Sequence, residues 1–114
     1  MDITEQIKVI TGVLEEKKAA DIKVLDIKGL SIMADYFVIG SGSNKNQIGA
    51  IIDAIEEKMY KVCKVSPKHI EGTRDSGWIL LDYRDIIIHI FDIESRSFYD
   101  LERIWADAKT LVLE

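Results

Sequence analysis

The 114-residue chain contains one cysteine, Cys63, and one proline, Pro67. A single thiol excludes an internal disulfide framework and most cysteine-based zinc sites, and it fits a reducing compartment. With one proline and no low-complexity stretch there is no linker, so residues 1–114 read as one domain. Long apolar runs are also missing. Ile86-Ile87-Ile88 stops far short of the roughly 18 residues a membrane span needs. The opening Met1-Asp2-Ile3-Thr4-Glu5-Gln6 has neither a basic flank nor an apolar core of the kind that directs export, nor an arginine-rich transit segment. A cytoplasmic protein without membrane contact is expected.

Positive charge is scarce. Fifteen Lys and Arg stand against twenty Asp and Glu, a net charge of -5. Nucleic-acid binders draw affinity from cations that neutralise phosphates, so direct binding to bare RNA or DNA is a weak reading, and no direct sequence-specific nucleic-acid contact is expected. The basic run Lys58, Lys61, Lys64, Lys68, diluted by Glu56 and Glu57, reads as the solvated side of a helix. The acidity is uneven: from Asp82 to Glu114 eight carboxylates face four cations, so -4 of the -5 lies in the last third.

What is present is a 47% apolar composition with clear periodicity, enough for a core without staples. Ile3, Ile7, Ile10, Val13 and Leu14 recur at helical spacing and predict a helix over 2–18. Asp21 to Asp26 alternates and predicts an edge or half-buried strand; Tyr36-Phe37-Val38-Ile39 is continuously apolar, as a central strand would be. After Gly40-Ser41-Gly42-Ser43, Ser43 or Asn44 is placed to cap a second helix, with Gln47 completing a capping box and Ile48, Ile51, Ile52, Ile55, Met59 and Val62 on its inner face. Pro67 and Gly72 bracket a connector. Trp78 to Asp82 and Ile86 to Phe91 then form a hairpin, and Phe98, Leu101, Ile104, Trp105 and Ala108 mark a last helix. The order gives a small mixed-sheet α/β (α+β) sandwich.

A two-residue turn at Tyr83-Arg84 would set Asp82 opposite Asp85, Leu80 opposite Ile87 and Trp78 opposite His89. Opposed carboxylates would either invite a cation or diverge at a wet turn. His89, in an apolar strand, reads first as a hydrogen-bonded, half-buried residue. His69, His89 and Cys63 sit in three segments with no metal-ligand spacing, so no metal site and no cofactor is expected. Cys63 falls on the apolar stripe of the second helix, where a small buried hydrophobe is the ordinary reading. The Gly-Ser loop is a potential phosphate cradle but matches neither GxxxxGK[ST] nor GxGxxG. A strand ending in Gly-Ser also occurs in nucleotidyltransferases, whose carboxylates converge from a sheet. Here Asp53 and Glu56 fall inside the second helix.

Asp35-Tyr36-Phe37-Val38-Ile39, Ser41-Gly42-Ser43, Gln47, Glu71-Gly72, Trp78-Ile79-Leu80-Leu81-Asp82-Tyr83, Asp85, Ile86 to Phe91, Glu94 to Glu102 and Trp105 closely resemble the ribosomal silencing factor family, RsfS or Iojap, in the same order and spacing over nearly the whole chain. The resemblance implies a nucleotidyltransferase-like fold that has lost its catalytic carboxylates. It also implies a non-enzymatic function: binding the large ribosomal subunit through its fourteenth protein and blocking the small subunit when nutrients are short. Ribosomal proteins are generally basic, so an acidic, aromatic-bearing surface suits such a partner. Trp78, Leu80, Asp82, Tyr83, Asp85 and His89 are the expected contact residues, with Trp78 and Tyr83 as anchors. A core position is the alternative for Trp78. The family pattern usually carries Gly where this chain has Arg84. Two other readings stay open: a metal-dependent nucleotidyltransferase-like enzyme using Asp53 and Glu56, and a homodimer joined along the edge of the Asp21 to Asp26 strand.

Overall fold

The computed structural model describes residues 2–29, 34–73 and 75–93, and the backbone of 109–110. Helix α1 spans Ile3–Glu16. It begins where the Asp2 carboxylate accepts the Glu5 backbone N–H at 2.8 Å, which satisfies one of the donors left free at a helix start. Its buried residues are the expected Ile7, Ile10, Val13 and Leu14. The helix stops two residues short of the sequence reading, because Lys18 takes φ 62° and turns the chain into strand β1, Ala20–Asp26.

Strand β2, Tyr36–Gly42, lies at the centre, antiparallel to β1 and parallel to β5, Ile86–Asp92. Burial on both sheet faces explains why these strands read as unbroken apolar runs. Helix α2, Lys45–Lys58, follows β2. Asn44 caps it by accepting the Gln47 N–H at 2.8 Å. The expected capping box is altered. The Gln47 side-chain oxygen accepts from the N–H and hydroxyl of Ser43, not of Asn44, and its amide nitrogen donates to the carbonyls of Lys17 and Lys18 at 3.1 and 3.0 Å. One glutamine thereby joins the end of α1 to the start of α2. A π-helical turn over Met59–Cys63 continues α2 and closes at Lys64 in the left-handed region.

The Pro67 to Gly72 connector holds a strand that the sequence reading did not assign: β3, His69–Glu71, pairs antiparallel with β4, Trp78–Asp82. Three exposed residues carry too little pattern to register as a strand. The sheet has six strands in the order β3-β4-β5-β2-β1-β6, with β6 over Lys109–Thr110. Leu25 and Asp26 of β1 pair with β6, so the edge proposed for a homodimer contact is occupied along that part of the strand. The expected last helix lies outside the described residues.

One sheet face carries Val24, Val38, Ile79, Leu81, Tyr83, Ile86, Ile88 and Ile90 against α1 and α2. The other gathers Leu25, Ile27, Phe37, Ile39, Ile87 and Phe91, with Trp78 and Leu80 at its β4 side. At about 1.5–3 kcal/mol for each fully buried large apolar side chain, these two clusters supply the drive that fixes strand faces.

Candidate functional site

The hairpin register differs from the sequence reading by two residues. Trp78 pairs with Phe91, Leu80 with His89 and Asp82 with Ile87. The Tyr83 N–H donates to the Ile86 carbonyl at 2.9 Å, which extends the ladder and leaves Arg84-Asp85 as the loop. Asp82 and Asp85 therefore do not face one another. The physical reason is Tyr83: its ring is buried among the helix-side residues, so the strand continues one residue further before turning. An even shift preserves faces, so Trp78, Leu80 and His89 remain together. Tyr83 does not join them. Alternation along β4 sends it to the opposite face, where its buried hydroxyl lacks a hydrogen-bond partner and burial raises its pKa well above the ordinary phenol value. The expected placement of Tyr83 as a surface anchor beside Trp78 is corrected accordingly.

Trp78 is half-buried. Its ring stacks on Phe91 with centroids 5.2 Å apart, and its indole N–H donates to His89 Nδ1 at 3.1 Å. Accepting at Nδ1 puts the imidazole proton on Nε2 and makes His89 neutral. Phe37 meets the same imidazole edge-on at 4.6 Å. His89 is 3% exposed, deeper than expected, and burial alone lowers its pKa to about 4. It can hold Trp78 in place but cannot touch a partner in this conformation.

Trp78 and Leu80 open onto a cleft of about 210 Å³ closed on its other side by Glu71 and Gly72. Gly72 is required there: it has φ +89°, and a Cβ would lie 2.2 Å from the Trp78 carbonyl oxygen. Beyond the cleft, Asp82 Oδ1 accepts the Arg84 N–H at 2.7 Å, and Oδ2 lies 3.7 Å from His69 Nδ1. This carboxylate organises the turn. Asp85 is exposed, while its carbonyl accepts the N–H groups of Asp35 and Tyr36 and so aligns the start of β2. Of the charged side chains in the acidic last third, Asp82, Arg84, Asp85 and Asp92 are within the described residues.

The other candidate chemistry does not assemble. Asp53 is exposed and Glu56 half-buried on α2, one turn apart, not on neighbouring strands. At the Gly-Ser loop, the Ser43 N–H is taken by Gln47, and a recess of about 510 Å³ at the start of α2 is lined by Asp75 and Asp92 as well as Lys45. Two carboxylates make that recess a poor phosphate cradle. Cys63 is buried and its thiol pKa is raised by burial, which disfavours the reactive thiolate. Among the described residues no group of three His, Cys, Asp or Glu side chains converges on a metal position, and no helix is long and apolar enough to cross a membrane.

Comparison with known proteins gives this geometry its context. A ribosomal silencing factor from Halalkalibacterium halodurans is 32% identical over 114 residues, covering 100% of this chain and 97% of that protein. The mouse protein named mitochondrial assembly of ribosomal large subunit protein 1 is 33% identical over 102 residues, covering 87% of this chain and 44% of its own length. A crystal structure of a Chromobacterium violaceum protein superposes with a TM-score of 0.86 at 28% identity, covering 93% of this chain and 88% of that one. The family described as ribosomal silencing factor during starvation matches residues 1–114, and the chain belongs to that family, RsfS.

Proposed function

We propose that this protein binds the large ribosomal subunit through the subunit's fourteenth protein and, without catalysis, blocks association with the small subunit, repressing translation under nutrient limitation. The name of the mouse relative, which cites assembly of the large subunit, supports a partner on that subunit. The observation that carries the reading is the β4 side of the sheet face opposite α1 and α2. There a tryptophan stacked on Phe91 and hydrogen-bonded to His89, with Leu80 beside it, borders an open cleft. A rigid, partly exposed indole next to an apolar neighbour is the kind of anchor on which protein interfaces concentrate their energy. Asp85, exposed on the adjoining turn, supplies charge complementary to a basic ribosomal protein.

Co-sedimentation with purified large subunits, followed by a subunit-joining assay, tests this. Trp78→Ala is expected to weaken binding by about 30-fold, the effect of losing an anchor worth about 2 kcal/mol. Asp85→Lys is expected to slow association and to lose joining inhibition at low salt. If both folded variants bind and inhibit like the parent, the contact face is elsewhere. If the parent neither pellets with large subunits nor reduces joined ribosomes, the function is wrong.

A further inference from the structure

From Lys58 to Lys68 the chain carries four lysines and no carboxylate, in a protein of net charge -5. The structure gives that run a shape. Met59 and Cys63 bury the inner side of the π-helical turn, at 0% and 8% exposure, and so fix which side faces out. Lys58, Lys61, Lys64 and Lys68 are all exposed, and Tyr60 among them is 64% exposed, a large aromatic ring with no core to serve. None of the four lysines forms an ion pair among the described residues.

Neighbouring elements border this run with charges of both signs. Lys58 and Lys61 share a cleft of about 260 Å³ with Lys17, whose walls also include Glu16 and Glu57. Lys68 and Arg84 border a second recess of about 500 Å³ with Asp82 and Asp85, where the Asp82 carboxylate accepts the Arg84 N–H. The two regions adjoin, because Lys68, four residues after Lys64, donates its backbone N–H to the Asp82 carbonyl at 2.6 Å. A solvated helix face needs no exposed tyrosine, and within residues 58–68 the charged side chains are all lysines.

We propose that the outer side of the π-helical turn, Lys58, Tyr60, Lys61 and Lys64, with Lys68 flanking it, contacts the sugar-phosphate backbone of structured ribosomal RNA. The proposal rests on the reading that the protein binds the large subunit, and it adds a second surface of opposite charge to the acidic, Trp78-bearing one. RNA fits better than a protein here. Ribosomal proteins are generally basic and would be repelled, whereas unpaired lysines interleaved with an exposed ring are the pairing that nucleic-acid surfaces use, cations on phosphates and an aromatic against a base or ribose. The contact is a backbone contact and carries no sequence preference.

The test compares the full-length parent with Lys61→Gln/Lys64→Gln and with Lys8→Gln/Lys23→Gln, a control of equal net charge altered at exposed lysines elsewhere. Binding to purified large subunits and to protein-free ribosomal RNA is measured from about 50 to 200 mM salt. The Lys61/Lys64 variant is expected to bind RNA at least about tenfold more weakly at the low-salt end and to lose about 2 from the slope of log affinity against log salt, while the control keeps the parental slope. Tyr60→Ser is expected to weaken RNA binding at least about fivefold with the slope unchanged. All three substitutions are exposed, and an unchanged urea midpoint verifies folding. If the Lys61/Lys64 variant tracks the control in both assays, the proposal is overturned. It is equally overturned if the variant loses binding only to an isolated ribosomal protein while RNA binding is unaffected, since the surface then meets protein. If the parent fails to bind large subunits, the proposed function fails, and the RNA assay alone decides the patch.

Discussion

Arg84 stands at φ 75°, in the left-handed region that costs an ordinary side chain about 1–2 kcal/mol. The turn tolerates it because the Asp82 carboxylate takes the Arg84 N–H at 2.7 Å, and because Tyr83 and Ile86 clamp the turn on either side through a 2.9 Å backbone bond. Glycine would relieve the strain, offset in part by the larger entropy of the unfolded chain. Arg84→Gly is therefore expected to raise stability by about 0.5–1 kcal/mol, read from the urea midpoint, whereas Arg84→Ala, which keeps the Cβ, should gain nothing. Equal shifts for the two would mean that the backbone at this position is unstrained. Strand alternation from Trp78 sends Tyr83 to the other face, and burial of its ring there sets the turn one residue later than a Tyr83-Arg84 turn would.

At the scale of elements, legibility followed burial. Helices α1 and α2 and strands β2, β4 and β5 were readable because each buries a face or both faces, and burial imposes a period of 3.6 or 2 on the apolar residues. The Trp78 and His89 pairing was readable for the same reason, since an even register error leaves faces intact. What escaped was set by contacts without a period. Strand β3 has three exposed residues and exists because β4 offers a ladder, with the Lys68 N–H donating to the Asp82 carbonyl at 2.6 Å. The π-helical turn carries Met59 and Cys63 into the same core as α1 and α2, and its departure from the α-helix leaves no separate period in the sequence. Gly72 makes the β3–β4 approach possible, and Gly72→Ala would set a Cβ 2.2 Å from the Trp78 carbonyl oxygen at a backbone angle of +89°. The expected outcome is detachment of β3, at a local cost of more than about 2 kcal/mol, seen as faster hydrogen exchange at the Lys68 amide than at the central β2–β5 amides. Uniform protection of both groups, equal to the parent's, would show that the loop accommodates the methyl group.

Taken whole, the protein is a sheet with unequal faces. The helix-covered face is apolar, and its one buried polar side-chain group without a partner, among the described residues, is the Tyr83 hydroxyl. The opposite face holds an imidazole in its interior, and that choice ties global stability to pH. Native His89 has a pKa near 4, against 6.5 for an unperturbed imidazole. Above pH 6.5 both folded and unfolded chains carry the neutral ring, so the stabilisation is fully present. As pH falls from 6.5 toward 4, the unfolded chain takes up a proton that the folded chain refuses, and stability drops by up to about 3 kcal/mol. Protonation of Nδ1 would also break the hydrogen bond from Trp78, so the loss reaches the proposed contact face directly. In urea titrations across this window, the parent is expected to lose about 3 kcal/mol more than His89→Phe does, because phenylalanine fills the site without titrating and common carboxylate effects cancel in the difference. Parallel curves for the two proteins would mean that the buried imidazole accepts its proton without unfolding, and that the Trp78 contact does not depend on the neutral ring.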